Sequence, residues 1–281
     1  MKNILAIHDL SCFGRCALTV VIPVLSAMAH QVTPLPTALL STHTGGFENM
    51  TFVNLSDTLM PSFEHMCRSG AGFDAVYSGF LGSAEQIEIV SDIIKKSSSS
   101  KIFVDPVMGD GGKLYQTYTD EMKERMSELC SLADVITPNL TEASFLLGED
   151  YTDTVSMTLR EAEYFAKEKC MRLQEKYGCG FVALTGVEYT ENGRLYIGTA
   201  ALCPDGFEFI ENEHVGTGYP GTGDLFASIM LGEMLCEKPF FECARLAAGF
   251  VSECVSDTYA AGTPVRNGVL LEKHLYKLIR S

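Results

Sequence analysis

Gly216-Thr217-Gly218-Tyr219-Pro220-Gly221-Thr222-Gly223-Asp224 runs directly into Leu225-Phe226-Ala227-Ser228-Ile229-Met230-Leu231. A glycine-rich loop therefore enters an apolar run that reads as a buried helix. Glycines let backbone N–H groups approach a ligand closely, and the first turn of a helix adds unpaired donors and a positive dipole end. The junction suits an anion, most often a phosphate. Asp224 sits where that anion would lie. A carboxylate repels phosphate, so its position points to chemistry: a base that takes a proton from an attacking hydroxyl.

Three readings of the stretch compete. Asp is favoured at helix starts whether or not anything binds, so capping alone could explain Asp224. Gly216, Gly218 and Gly221 formally satisfy the dinucleotide pattern G-x-G-x-x-G, but Pro220 lies inside it and the usual signal follows an early strand. No Lys-Ser or Lys-Thr follows, which excludes a P-loop. In the third reading, Gly221-Thr222-Gly223-Asp224 resembles the G-T-G-D signature of the ribokinase-like small-molecule kinases.

Moving outward, 281 residues are enough for one large α/β domain, expected to span 1–281. The composition, 46% hydrophobic and 20% charged, is that of a soluble globular protein. A net charge of −15 argues against nucleic acid or an anionic membrane as partner, so an anionic ligand needs local backbone amides and metal ions. Ten cysteines without paired C-x-x-C motifs read as buried reduced thiols, with metal binding disfavoured. Asp9 interrupts any signal-like apolar core and no run reaches spanning length, so a cytoplasmic protein is expected.

The chain then reads as alternating strands and helices. Strands are expected at Asn3–His8, Val32–Thr37, Phe73–Ser78, Lys101–Val104, Asp134–Thr137 and Phe181–Leu184. Helices are expected over 16–28 (with Pro23 as kink or start), 56–69, 83–96 and 158–177, after Pro138-Asn139, and around 241–255 and 268–280. Ser97 to Ser100 reads as a polar connector. Pro204-Asp205-Gly206 signals a hairpin between strands at Leu195–Leu202 and Phe207–Glu211. The βαβ order predicts ligands outside the carboxyl ends of the strands. Asp105 and Asp110, five apart where a strand meets a glycine-rich loop, could hold Mg²⁺ with its waters or simply build a turn. Glu142 is open between first-turn dipole partner and metal or phosphate ligand. His43 is open between structural and binding roles.

Taken in order, these segments resemble the vitamin B6 (pyridoxal) kinases of the ribokinase-like superfamily over nearly the whole length. Asp105-Pro106-Val107-Met108-Gly109-Asp110, Thr137-Pro138-Asn139-Leu140-Thr141-Glu142 and Gly221-Thr222-Gly223-Asp224 match three family motifs. His43-Thr44-Gly45 matches the vitamin-side motif, and Gly79-Phe80 the loop carrying an aromatic near the ring. The resemblance implies a three-layer α/β/α sandwich with a mostly parallel central sheet. It implies ATP, Mg²⁺ and a B6 vitamer as ligands and a homodimer as the assembly. A monovalent cation such as K⁺ stays open.

The same resemblance implies site roles. Asp224 is the base and Gly221, Thr222 and Gly223 cradle the transferring phosphoryl group. Asp105 and Glu142 manage the metal. Asp110, Asn139, Thr185 and Gly186 lie beside ATP, with Tyr115 closing over the site from a loop. Asp9, Ser11, His43, Thr44 and Phe80 line the vitamin side. Three departures fall there: Asp9 stands where Ser is common, Arg15-Cys16 replaces a Gly-Asn pair, and Gly46 replaces a tyrosine. The alternative acceptor is hydroxymethylpyrimidine. A non-catalytic binding protein would be expected to have lost Asp224, and a dinucleotide oxidoreductase would need an early glycine fingerprint, where only Gly14 stands.

Overall fold

Ile4 to Ile7 are shielded from solvent on both faces, as a central parallel strand requires. In the computed structural model, which describes residues 1–99 and 101–279, this run belongs to β1 (Asn3–Phe13). It is followed by α1 (Leu18–Ala27), β2 (Gln31–Thr42), β3 (Phe52–Asn54), α2 (Ser56–Arg68), β4 (Ala75–Ser78) and α3 (Ala84–Lys96). Next come β5 (Lys101–Val104), the small strands β6 (Gly109–Asp110) and β7 (Lys113–Leu114), α4 (Asp120–Cys130), β8 (Val135–Ile136) and α5 (Leu140–Leu147). The chain continues through α6 (Leu159–Tyr177), β9 (Phe181–Glu191), β10 (Arg194–Cys203), β11 (Gly206–Glu213), α7 (Thr222–Met234) and α8 (Phe240–Ala260).

Nine strands form one sheet in the order β11-β10-β9-β8-β5-β4-β1-β2-β3, with β6-β7 a separate hairpin. The pairs from β9 through β8, β5, β4 and β1 to β2 are parallel. The outer pairs β9-β10, β10-β11 and β2-β3 are antiparallel. Two apolar cores cover the two faces. One packs α2 through α6 against the sheet and the other packs α1, α7 and α8. This is the three-layer α/β/α arrangement with a mostly parallel sheet. Because β1, β4, β5, β8 and β9 run the same way, His8-Asp9, Gly79-Phe80, Asp105, Asn139 and Thr185-Gly186 emerge at one edge.

Several local expectations need correction. The strand expected over Asn3–His8 runs on to Phe13 because β2 lies alongside, pairing Leu10 with Leu39 and Phe13 with Thr42 after a register shift at His8/Leu10. Thr185 and Gly186 lie within β9, not after it. Gly186 adopts φ 75° and the β10 register slips between Gly198 and Ala200, which marks a bulge beside the cleft. The expected helix over 268–280 is instead a set of short 3₁₀ turns at Val265–Asn267, Leu271–Lys273 and Leu275–Leu278. Gly268 at φ 71° breaks the first of these turns. The end of that expected helix, Arg280, and the connector residue Ser100 lie outside the described residues.

Pro23 lies inside α1. β3, α4 and the β6-β7 hairpin were not foreseen. All ten cysteines are free thiols, seven of them buried. Among the described residues, no helix is long and apolar enough to cross a membrane.

Candidate active site

The carboxyl edge of the sheet and the start of α7 enclose a cleft of about 1130 Å³. That exceeds the usual 300–1,000 Å³ of a single small-ligand site, leaving room for a nucleotide and a second small molecule. Every site residue singled out from the sequence lines this one cleft, from Asp9 and Ser11 through Asp105, Asp110 and Tyr115 to Gly221 and Asp224.

At one end, α7 begins with Gly221 as N-cap at φ 83°. A Cβ at Gly221 would lie 2.0 Å from the Arg15 carbonyl oxygen, so the loop can turn here only with glycine. The Arg15-Cys16 backbone therefore packs directly against the start of the Gly221–Gly223 loop. Arg15 itself turns outward, its Nε donating to Glu272 at 2.6 Å. Thr222 and Gly223 occupy the first turn of α7, where amides have no intrahelical acceptor and face the cleft mouth.

Asp224 does not cap its own helix. Its Oδ2 accepts the Ala17 amide at 2.7 Å, and its Oδ1 meets His8 Nε2 at 2.9 Å. On the far side of the ring, His8 Nδ1 lies 2.9 Å from Asp9 Oδ1, and Ser11 Oγ donates to Asp9 Oδ2 at 2.7 Å. Burial alone would raise the Asp224 pKa, but the adjacent His8 outweighs it and holds the carboxyl below its ordinary value. Burial would likewise discharge His8, yet Asp224 and then Asp9 push its pKa up to about 10.

The other end is different. Asp105, just past β5, has its pKa raised to about 7, first by burial and then by the Asp224 charge. Glu142 is pushed well above the carboxylate range by burial and by Asp105. Glu142 is also a structural partner: Asn139 and Glu142 form a reciprocal capping box at α5, and Met108 N donates to Glu142 Oε1 at 3.0 Å. Each Glu142 oxygen so engaged keeps a lone pair for the cleft. Asn139 Nδ2 also donates to the Gly109 carbonyl at 2.8 Å, which ties the hairpin to α5. Asp110 is exposed, its Oδ1 accepting the Gly111 amide at 2.8 Å. Tyr115 follows β7, its amide bonded to Met108 O at 3.0 Å.

In the loop after β2, His43 accepts the Gly45 amide at Nδ1 and donates from Nε2 to Arg266 O at 2.7 Å. Both ring nitrogens are thus spent on bracing the loop, the structural role left open in the sequence. Thr44 is half-buried and Phe80 buried, with the Phe80 carbonyl held by Thr37 Oγ1 at 3.0 Å. Sequence reasoning missed His8, the residue that joins Asp9 to Asp224. The only signal was a titratable residue closing an apolar strand one place before Asp9, a pattern that ordinarily means a satisfied core histidine.

The sequence model of the phosphomethylpyrimidine kinase family matches residues 3–268. A Bacteroides thetaiotaomicron protein, provisionally named a phosphomethylpyrimidine kinase and crystallised with pyridoxal, is 37% identical. It superposes with a TM-score of 0.90 over 99% of this chain and 95% of that one. Pyridoxal kinase from Lactobacillus plantarum is 31% identical, with a TM-score of 0.87 over 99% of this chain and 96% of its own. The Bacillus subtilis pyridoxine kinase is 26% identical over 254 residues, 88% of this chain and 81% of that protein. The chain belongs to the phosphomethylpyrimidine kinase family, a kinase on the ribokinase-like fold that its ordered motifs and its sheet share.

Proposed function

We propose that this enzyme transfers the γ-phosphoryl group of ATP to the 5′-hydroxymethyl group of pyridoxal, pyridoxine or pyridoxamine. It would act as a single domain over 1–281, in a cytoplasmic homodimer, on small molecules only. One observation carries the reading: a buried carboxylate, Asp224, held by His8 and the Ala17 amide in the first turn of α7. Asp224 takes the hydroxymethyl proton. The freed oxygen bonds to the γ-phosphorus as the bond to the β–γ bridging oxygen breaks, and ADP carries away the electron pair. Amides of Gly221, Thr222 and Gly223 face the charge on the transferring group, which is most of what phosphoryl transfer asks of a protein.

Asp105 and Glu142 fit a magnesium ion: two buried carboxylates whose pKa values are raised by burial and by neighbouring negative charge. Mg²⁺ typically takes one or two carboxylates and completes its shell with water and phosphate oxygens. When bound, it supplies charge neutralisation for the phosphates. Asp110, Asn139, Thr185 and Gly186 border the nucleotide, and Tyr115 flanks it. Phe80 and Thr44 face the pyridine ring. A monovalent cation such as K⁺ has no residue assigned to it.

All three similar proteins above support the B6 vitamers as acceptor, one by its bound pyridoxal and two by their names. The matching family's description, phosphomethylpyrimidine kinase, points to a pyrimidine acceptor, and hydroxymethylpyrimidine is the second reading. Asp224→Asn tests the mechanism. Transfer to pyridoxal should fall by about 10²–10⁴-fold while ATP still binds, the range expected for loss of a general base. Near-normal turnover in this variant would remove Asp224 from the role of base.

A further inference from the structure

We infer that His8 is a positioning residue that fixes the Asp224 carboxylate for proton abstraction, and that Asp9 and Ser11 reach the reaction through His8. The inference rests on the reading of Asp224 as base. A carboxylate on a flexible side chain presents its lone pairs in many directions. Here one oxygen is held by His8 Nε2 at 2.9 Å and the other by the Ala17 amide at 2.7 Å. Each oxygen keeps one free lone pair, and the plane of the group is set. His8 is in turn held from behind by Asp9 at 2.9 Å, and Asp9 by Ser11 at 2.7 Å. Four side chains thus form an unbroken line from β1 to α7.

The ring has little freedom to leave this line. A Cβ at Gly79 would lie 2.0 Å from His8 Cδ2, so glycine there makes room for the imidazole. The Phe80 amide lies 3.4 Å from Nε2, and Tyr77 meets the ring edge-on at 6.2 Å. His8 is only 2% exposed. Both ring nitrogens face carboxylate oxygens, while the Asp9 amide also lies 2.9 Å from Nδ1; the raised pKa of His8 favours a proton on each nitrogen, donated to the carboxylates. A base with no companion could be placed by packing alone. A buried imidazolium between two carboxylates instead places Asp224 and keeps it ionised.

The ionisable groups around this line are known from every side. Asp9 comes from β1, Asp224 from α7 and Tyr77 from β4. Asp105 lies past β5, Cys16 precedes α1, and His43 follows β2. Removing His8 takes away the main influence that holds the Asp224 pKa down. The sign follows: Asp224 then binds its proton at higher pH, and the acidic limb of kcat/KM moves upward in pH.

The test is the pH profile of pyridoxal phosphorylation for wild type, His8→Ala, His8→Gln, Gly79→Ala and Asp9→Asn, with Asp224→Asn as control and ATP binding as the check on folding. His8→Ala should lower kcat about 100-fold, the scale of a misplaced reacting group. Its KM for ATP should hold and its acidic limb should move to higher pH. His8→Gln restores one donor but no charge, so part of kcat should return while the limb stays displaced. Gly79→Ala, which pushes the ring aside, should copy His8→Ala. Asp9→Asn should also lower kcat, and combined with His8→Ala it should cost no more than His8→Ala alone.

An acidic limb unmoved in both His8 variants, with kcat lowered equally at every pH, overturns the inference and leaves His8 a packing residue. An Asp9→Asn effect confined to the KM for pyridoxal overturns the second half. If His8→Ala does not bind ATP, His8→Gln and Asp9→Asn decide by the same limb. Turnover surviving in Asp224→Asn removes the base reading itself. An inactive Asp224→Asn beside a near-normal His8→Ala removes only the inference.

Discussion

Asp224 and Asp105 both lie buried at the carboxyl edge of the sheet, and each feels the other's charge, yet their acidities move in opposite directions. Asp224 has a cationic neighbour built into the chain, His8, and its pKa falls despite burial. Asp105 is buried near Asp224 and Glu142, and although the His8 charge and the Thr137 hydroxyl act in its favour, its pKa rises to about 7. The same functional group in the same depth of protein is thus prepared for two tasks. The end neutralised from within can keep a carboxylate ionised without any ligand, as a base must be. The end left with excess negative charge is short of a cation, which a metal–nucleotide complex would bring.

The largest test of this contrast is metal removal. Chelating divalent ions should take turnover on pyridoxal to background, and added Mg²⁺ should restore it. Sustained turnover without divalent ions would mean that the Asp105–Glu142 end needs no cation. Next, Asp105→Asn should raise the Mg²⁺ concentration needed for half-maximal rate by about 10–100-fold, the usual cost of losing a group that orients a bound metal. An unchanged requirement would move the metal elsewhere.

Smaller effects should separate the vitamin wall from both acidic ends. Phe80→Leu or Thr44→Val should raise the KM for pyridoxal about tenfold, equivalent to about 1.4 kcal/mol, with little change for ATP. The reverse pattern would exchange the two halves of the cleft.

The smallest effect on rate is a stability effect. His8 titrates near 6.5 when unfolded and near 10 in the fold. The stability from its pairing is therefore fully present below pH 6.5 and is lost as pH rises towards 10. Thermal melts should show wild type losing on the order of 1–3 kcal/mol between pH 7 and 9.5. His8→Gln should lose less. Equal losses would show that the imidazolium is not part of the folded state's charge pattern.

Much of this arrangement was legible in the chain, for reasons particular residues make plain. Short apolar runs ending in Asp105 or Asn139 declare both a buried strand and the polar residue that leaves it. Parallel topology then carries all such residues to one edge. That is why every singled-out residue lines one cleft. What stayed hidden depended on non-local contact. β1 extends to Phe13 only because β2 pairs with it, and the closing turns after α8 lack the periodicity that would have told them from a helix. α4 is too polar and β3 too short to stand out. His8 and Asp224 are 216 residues apart, and no spacing rule reads a hydrogen bond across that distance.

Glu142 and His43 teach the complementary lesson. Each was open between a structural and a ligand role, and each proves to have structural work: a capping box at α5 for one, a loop brace for the other. For Glu142 the two roles are compatible, since each oxygen accepts one amide and has a second lone pair, and the residue lines the cleft. For His43 the ring nitrogens are both engaged, tying Gly45 to the Arg266 backbone.

The most direct measurement is product formation by the purified protein with ATP and Mg²⁺, offered pyridoxal, pyridoxine, pyridoxamine and hydroxymethylpyrimidine in separate reactions. The account predicts one phosphorylated B6 product per ADP released, at a kcat/KM well above that for the pyrimidine. Turnover on the pyrimidine alone would contradict the assignment of the acceptor, and no transfer to any of the four would contradict the account as a whole.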